Sequence, residues 1–352
     1  MASSAQDARV APGSVPPDGP GFSLRGSRRT RAGDPLFRGS SLAVALGLIA
    51  LLALMAFVLA HDASKTFASL GFSFLTGTQW NPVTNQFGAL PFIYGTLVTS
   101  TIAIVLGVPV AVGLALLLNE RDTGWVRNVL AVFVDLLAAI PSVVYGLWAL
   151  FVMLPVFDHH VEPFLRGTVG KIPLIGILFQ GSTAGGDLFT AGVILAIMIL
   201  PIVTAVSREV IAVVPNDLRE AAKALGATRY ETVRMAVLPY ARSGIVGAAM
   251  LGLGRALGET IAVAMVVGNS TAIHASLFSP GYTIPAIIAN EFREASSAGL
   301  HHSSLLALAL LLMVIALIFA ALSRLLIQRT AVAILGPEVP EEPRGVALGT
   351  PT

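Results

Sequence analysis

Long runs of apolar side chains, separated by shorter polar stretches, dominate the chain. A helix rises about 1.5 Å per residue, so roughly 20 apolar residues cross a hydrocarbon core about 30 Å thick. Six segments meet that requirement. Residues 41–60, 90–119, 188–207 and 303–323 contain no Asp, Glu, Lys or Arg, residues 128–157 contain only Asp135, and residues 243–270 contain only Arg255 and Glu259. The pattern predicts an all-α polytopic membrane protein with six transmembrane helices. Pro141 lies inside the third segment, where its missing amide donor predicts a kink.

Composition agrees with this reading. Of 352 residues, 55% are hydrophobic and 12% charged, about half the charged share of an ordinary soluble domain. Cysteine is absent, which excludes disulfides, zinc clusters and thiol nucleophiles. The basic residues set an orientation. Seventeen of the 22 lie in the termini and in the loops after the second and fourth segments, four lie in the opposite loops (Lys65, Arg166, Lys171 and Arg293), and Arg255 alone is intramembrane. By the positive-inside rule both termini are expected in the cytoplasm, so basic charge reports topology here and no nucleic-acid partner is expected.

Residues 1–39 are rich in Arg, Pro and Gly with little periodic hydrophobicity, and are expected to form a disordered cytoplasmic tail. Its arginines suit a topology determinant or a contact with anionic lipid. Residues 40–89 would hold the first span and an extracytoplasmic loop, 90–329 the transmembrane core, and 330–352 a second cytoplasmic tail. Enzyme chemistry has little to work with. The nearest approach to a phosphate-binding loop, Gly167 to Ile172, has the wrong glycine spacing and Ile172 where a hydroxyl is needed. The adjacent pairs His159–His160 and His301–His302 read as exposed loop histidines, and the carboxylates show no paired spacing beyond that of ordinary loops. No catalytic residue and no metal site is expected.

Two polar features remain. Between the fourth and fifth segments, residues 215–239 read as two short helices meeting at Gly226. Asp217 with Glu220 would cap the first, Thr228 with Glu231 the second, and Gly226 suits a left-handed exit. Leu218, Ala221, Ala222 and Leu225 fall on one face of the first helix. Such an amphipathic hairpin suits a groove on a cytoplasmic partner.

The second feature is the intramembrane pair. A central arginine costs about 2.5–3.5 kcal/mol on insertion scales, so it needs a partner or a task. Glu259, four residues on, would share its helix face and pair with it, and Gly252, Gly254 and Gly258 leave the neighbourhood thinly covered. Either the pair neutralises itself and fixes packing, or the guanidinium fork receives an oxyanion. Asp135 reads as a hydrogen-bonding group near the cytoplasmic interface.

Glu220-Ala221-Ala222, then Gly226, then Ala236-Val237-Leu238-Pro239 resembles the EAA loop of ABC-importer permeases; that family usually has isoleucine where Ala236 stands. With Trp80-Asn81-Pro82, Phe87-Gly88, Gly95-Thr96-Leu97, Ile140 to Gly146, Ser207-Arg208-Glu209-Val210 and Gly254 to Thr260, the set is similar to PstC-type permease subunits of phosphate importers over residues 74–329. The resemblance implies a type I ABC importer (MetI-like) permease core in the bacterial cytoplasmic (inner) membrane, translocating inorganic phosphate. It implies a heterodimer with a second related permease, an ATPase dimer carrying ATP and Mg inside, and an extracytoplasmic phosphate-binding protein, with no cofactor on this chain. It further implies that Glu220, Ala221, Ala222, Gly226, Leu238 and Pro239 couple to the ATPase. Arg255, Glu259, Thr260 and Asp135 would border the substrate path. The alternatives are a permease for another oxyanion or solute, or a channel or scaffold without ATP coupling.

Overall fold

The computed structural model describes residues 28–120, 124–173, 175–181, 186–295 and 299–335, with side chains from 37 to 328. The expected tails fall largely outside these residues. Among the described residues, six helices are long and apolar enough to cross a membrane: Phe37–Leu70, Leu90–Glu120, Ser142–Lys171, Leu188–Ala212, Arg229–Gly258 and Leu300–Gln328, here spans one to six. The only strands described are the two-residue pair Trp80–Asn81 and Gln86–Phe87, antiparallel, with Trp80 opposite Phe87.

The second and fourth spans begin where the apolar pattern places them, at Leu90 and Leu188. The first and sixth expected segments lie within the helices Arg28–Leu70 and Leu300–Leu335. Because the first of these starts at Arg28, residues 28–39 are helical, a departure from the expected disorder.

The backbone corrects the third and fifth segments. In the third, helix Trp125–Ala139 ends at Ile140, whose ψ of 127° is extended, and a new helix starts at Ser142. The ring of Pro141 crowds the preceding residue out of the α region, so the expected kink is a full break. Helical turns, two of them π, continue beyond it, and the third span is Ser142–Lys171. In the fifth, the helix begins at Arg229 and passes through a π turn at Val233–Val237 into Leu238–Gly258. A wider turn just ahead of Pro239 accommodates a residue that offers no amide and crowds the carbonyl four positions back. Glu259 is then extended, with ψ 128°, and a short helix Ile261–Val266 follows.

The chain divides into two units, 1–55 and 56–352. In the first, every described side chain from Phe37 to Met55 is exposed, and the sequence there is apolar, as a lipid-facing helix requires. In the second, span four is the most enclosed, with 61% of its most apolar window buried against 28% or less in the other spans. It packs along span two through small residues. A side chain at Gly192 would meet Ile102 at 2.5 Å, and one at Gly107 would meet the Ala196 carbonyl at 3.0 Å. Close backbone approach of this kind is how helices gain packing energy where lipid removes the hydrophobic drive.

A separate apolar cluster gathers Phe74, Phe87, Phe92, Tyr282, Ile287 and Leu305. Ser303 ties it to the preceding helix, accepting from the Thr66 hydroxyl at 2.9 Å and donating to the Asp62 carbonyl at 2.7 Å. The hairpin joins the same cluster, since Trp80 meets Phe87 and Phe92 edge to face, each at 4.9 Å. His301, expected in an exposed loop, instead lies in the first turn of Leu300–Leu335 and pairs with Glu291 at 2.8 Å.

Candidate functional site

The 215–239 hairpin is built from local signals. Helix Asn216–Ala224 leaves through a Schellman turn: the Ala227 amide donates to the Ala222 carbonyl, the Gly226 amide to the Lys223 carbonyl, and Gly226 sits at φ +84°. A Cβ at Gly226 would meet nothing within 4 Å, so backbone conformation and not space demands glycine. The next helix opens with the expected capping box. The Thr228 hydroxyl oxygen accepts from the Glu231 amide, and the Glu231 carboxylate accepts from the Thr228 amide at 2.8 Å. The first expected cap does not form. The flanking residue is Pro215, helix starts at Asn216, and Asp217 therefore lies inside the first turn, where it makes no cap bond.

Arg219 fixes the hairpin to the bundle, a role that local sequence reasoning misses. Its guanidinium donates to Glu120 at the end of span two at 2.9 Å, to the Val214 carbonyl at 2.6 Å and to the Ile211 carbonyl at 3.0 Å. Beneath it Ala115, Ile211, Val214, Val237 and Ala241 form a buried apolar cluster. The opposite face of the hairpin is open. Glu220 and Ala221 are exposed, Ala222 is half-buried, and Leu225 is 89% and Tyr230 71% exposed. Leu238 is half-buried and Pro239 exposed where the hairpin's second helix becomes span five.

Arg255 lies in the last turn of that same helix, 26 residues beyond Arg229. At 1.5 Å per residue the two are about 39 Å apart along one helical rod. The expected Arg255–Glu259 pair is not formed. The helix ends at Gly258 and Glu259 turns into extended backbone, which removes the i, i+4 geometry the pairing needs. Arg255 is exposed, Glu259 and Thr260 are half-buried, and the Thr260 hydroxyl donates to the Gly258 carbonyl at 3.1 Å. A Cβ at Gly254 or Gly258 would meet no atom within 4 Å, whereas one at Gly252 would meet Val203 at 2.6 Å. One glycine thus seats span five on span four, and two leave the Arg255 face bare.

Tyr145 lies in the first turn of the restarted span three, three residues after Ser142. The Tyr145 hydroxyl donates to the Leu137 carbonyl at 2.8 Å and so stitches the two sides of the Pro141 break together. Leu137, Ile140, Val144, Tyr145 and Trp148 line an apolar cavity of about 290 Å³ beside it. Asp135 is exposed on helix Trp125–Ala139, outside the six spans, and no hydrogen bond or ion pair joins it to Arg255, Glu259 or Thr260.

A third cluster was not expected. Asp158, Glu162 and Asp187 each offer a carboxylate oxygen within 4.8 Å of the other two. The spacing of four between Asp158 and Glu162 was visible in the sequence as a shared helix face. Asp187 joins them from the start of span four, which it caps by accepting from the Thr190 amide.

A family profile described as binding-protein-dependent transport system inner membrane component matches residues 103–332. The phosphate transport system permease protein PstC of Pasteurella multocida is 45% identical over 294 residues, covering 84% of this chain and 91% of that protein. The phosphate transport system permease protein PstC 2 of Mycobacterium tuberculosis is 40% identical over 293 residues, covering 79% and 87%. Among solved structures, a chain of a bacterial alginate ABC transporter in complex with alginate pentasaccharide-bound periplasmic protein superposes with a TM-score of 0.56 at 19% identity, covering 86% of this chain and 96% of that one. At that identity the likeness speaks for the fold alone.

Proposed function

The chain belongs to the binding-protein-dependent transport system inner membrane components, the permeases of ABC importers, and within that family we propose that it carries inorganic phosphate past Arg255. The observation that carries the proposal is the exposed guanidinium at the far end of a continuous helix whose near end is the capped hairpin. A planar fork of donors free of an internal carboxylate matches two oxygens of a phosphate, and the names of the relatives point to the same anion.

In this reading both termini face the cytoplasm, as the distribution of basic residues supports. The hairpin then projects inward, and Glu220, Ala221, Ala222, Gly226, Leu238 and Pro239 meet an ATPase dimer that binds ATP and Mg. A second, related permease completes the path and an extracytoplasmic binding protein delivers phosphate. This chain holds no nucleotide. ATP-driven closure of the partner pushes the hairpin, and the rod transmits the displacement to Arg255, exposing it to each side in turn. Glu259 and Thr260 border the anion at the helix break. Because Glu259 does not pair with Arg255, phosphate need not displace it, and the carboxylate is left to accept a hydrogen bond from the P–OH of a hydrogen phosphate.

Reconstitution of the complete complex in proteoliposomes tests this. With labelled phosphate outside and ATP inside, Arg255→Lys is expected to lower uptake at least tenfold while all subunits still copurify, since an ammonium cannot supply the bidentate fork. Uptake at the normal rate in that variant would overturn the role of Arg255. Wild-type uptake of another solute in preference to phosphate would overturn the substrate.

A further inference from the structure

The acidic cluster at the junction of spans three and four lies outside the transport path proposed above. Glu162 is 1% exposed, and neither of its carboxylate oxygens has a hydrogen-bond partner. Asp187, 3% exposed, spends both oxygens on Thr190, accepting from its amide and from its hydroxyl at 2.8 Å each. Asp158 brings a third carboxylate from the π turn Phe157–Val161. The nearby Arg166 does not resolve the charge, because its guanidinium donates to the Gly181 carbonyl at 2.5 Å and forms no ion pair with the three.

We propose that Asp158, Glu162 and Asp187 bind a hard divalent cation of the magnesium–calcium class, which fastens the end of span three to the start of span four. The donor set is oxygen only, which excludes the softer metals that prefer nitrogen or sulfur and suits an ion that accepts carboxylates in one- or two-oxygen modes. A proton shared between Glu162 and Asp187 is the competing arrangement, and it serves the site less well. One shared proton gives a partner to one Glu162 oxygen and leaves the other buried and bare. A divalent cation engages both oxygens of Glu162 and reduces the three negative charges to a net charge of one. Asp158 and Glu162 stand four residues apart across a π turn, a distortion frequent at functional sites.

Binding of Mn²⁺ to the intact, nucleotide-free complex tests the proposal, with free Mn²⁺ read by electron paramagnetic resonance after chelator treatment and in phosphate-free buffer. The expected result is one Mn²⁺ per copy of this chain, bound tighter than about 1 mM and displaced by Ca²⁺ or Mg²⁺. Glu162→Gln and Asp158→Asn should each weaken it at least tenfold, and the exposed Glu294→Gln should not. Absence of a stoichiometric site in the wild-type complex overturns the proposal even if a variant fails to fold. So does a site that survives unchanged in both variants. An infrared band of a protonated carboxyl, assigned by its loss in Glu162→Gln and persisting at saturating Mn²⁺, would establish the shared proton in place of the cation.

Discussion

At its Arg229 end, span five starts from a closed capping box and stands over a hairpin that Arg219 clamps to Glu120 and to two backbone carbonyls. At its Gly258 end the same helix stops beside an exposed arginine with no ion pair in the described chain. The first region satisfies its clamp and its second cap internally and presents Leu225 and Tyr230 outward beside the charged Glu220, as a docking surface does. The second does the reverse, holding a strong donor bare beside two glycines that face open space. A permease built this way has its mechanical contact prepared in advance and leaves its chemistry to whatever enters beside the open arginine.

Mutations at the two ends should therefore separate assembly from transport. The largest effect is expected from Arg255→Ala, with ATP-driven phosphate uptake falling at least a hundredfold while the ATPase copurifies as before; a variant that loses its ATPase would break the comparison. Gly226→Val should do the opposite. A β-branched residue at φ +84° costs about 1–2 kcal/mol, so retention of the ATPase during purification should drop roughly tenfold, with uptake falling in proportion to the complex that remains. Arg219→Ala sharpens the contrast, because it leaves the exposed face of the hairpin intact and removes only the clamp. Loss of a half-buried charged hydrogen bond costs about 1.5–3 kcal/mol, and faster hydrogen exchange is expected across residues 211–225, with Glu120→Gln giving a smaller change since the carbonyl contacts persist. The smallest effect belongs to Thr228→Ala, about 1 kcal/mol of cap stability, detectable as faster exchange at residues 228–232.

Much of the hairpin was legible because its signals are local. A glycine obliged to be left-handed and a Thr–Glu box lie within six residues, and the structure keeps both. The Arg219–Glu120 clamp joins residues 99 apart, and a sequence without a fold offers no reason to connect them. The spans divide in a similar way. Apolarity located spans two and four to the residue at their starts, since a uniform run in lipid has helix as its only outlet. It misjudged the third and fifth because hydropathy records how greasy a segment is and not which way its backbone turns. Pro141 gave warning of the first break, though only as a kink; at Glu259 an acidic residue with good helix propensity takes an extended conformation. That turn separates Arg255 from its expected partner, so a pair that spacing made legible was undone by the fold.

The π turn at Val233–Val237 and the uninterrupted helix beyond it carry a quantitative consequence. A shaft with about 39 Å between the elbow and the guanidinium, swung by ~10° about its base, moves the tip by roughly 7 Å, close to the width of a hydrated anion's passage. In the proposed mechanism, a modest rocking stroke at the hairpin would carry the Arg255 charge from one side of the path to the other, with no bond in the shaft needing to break.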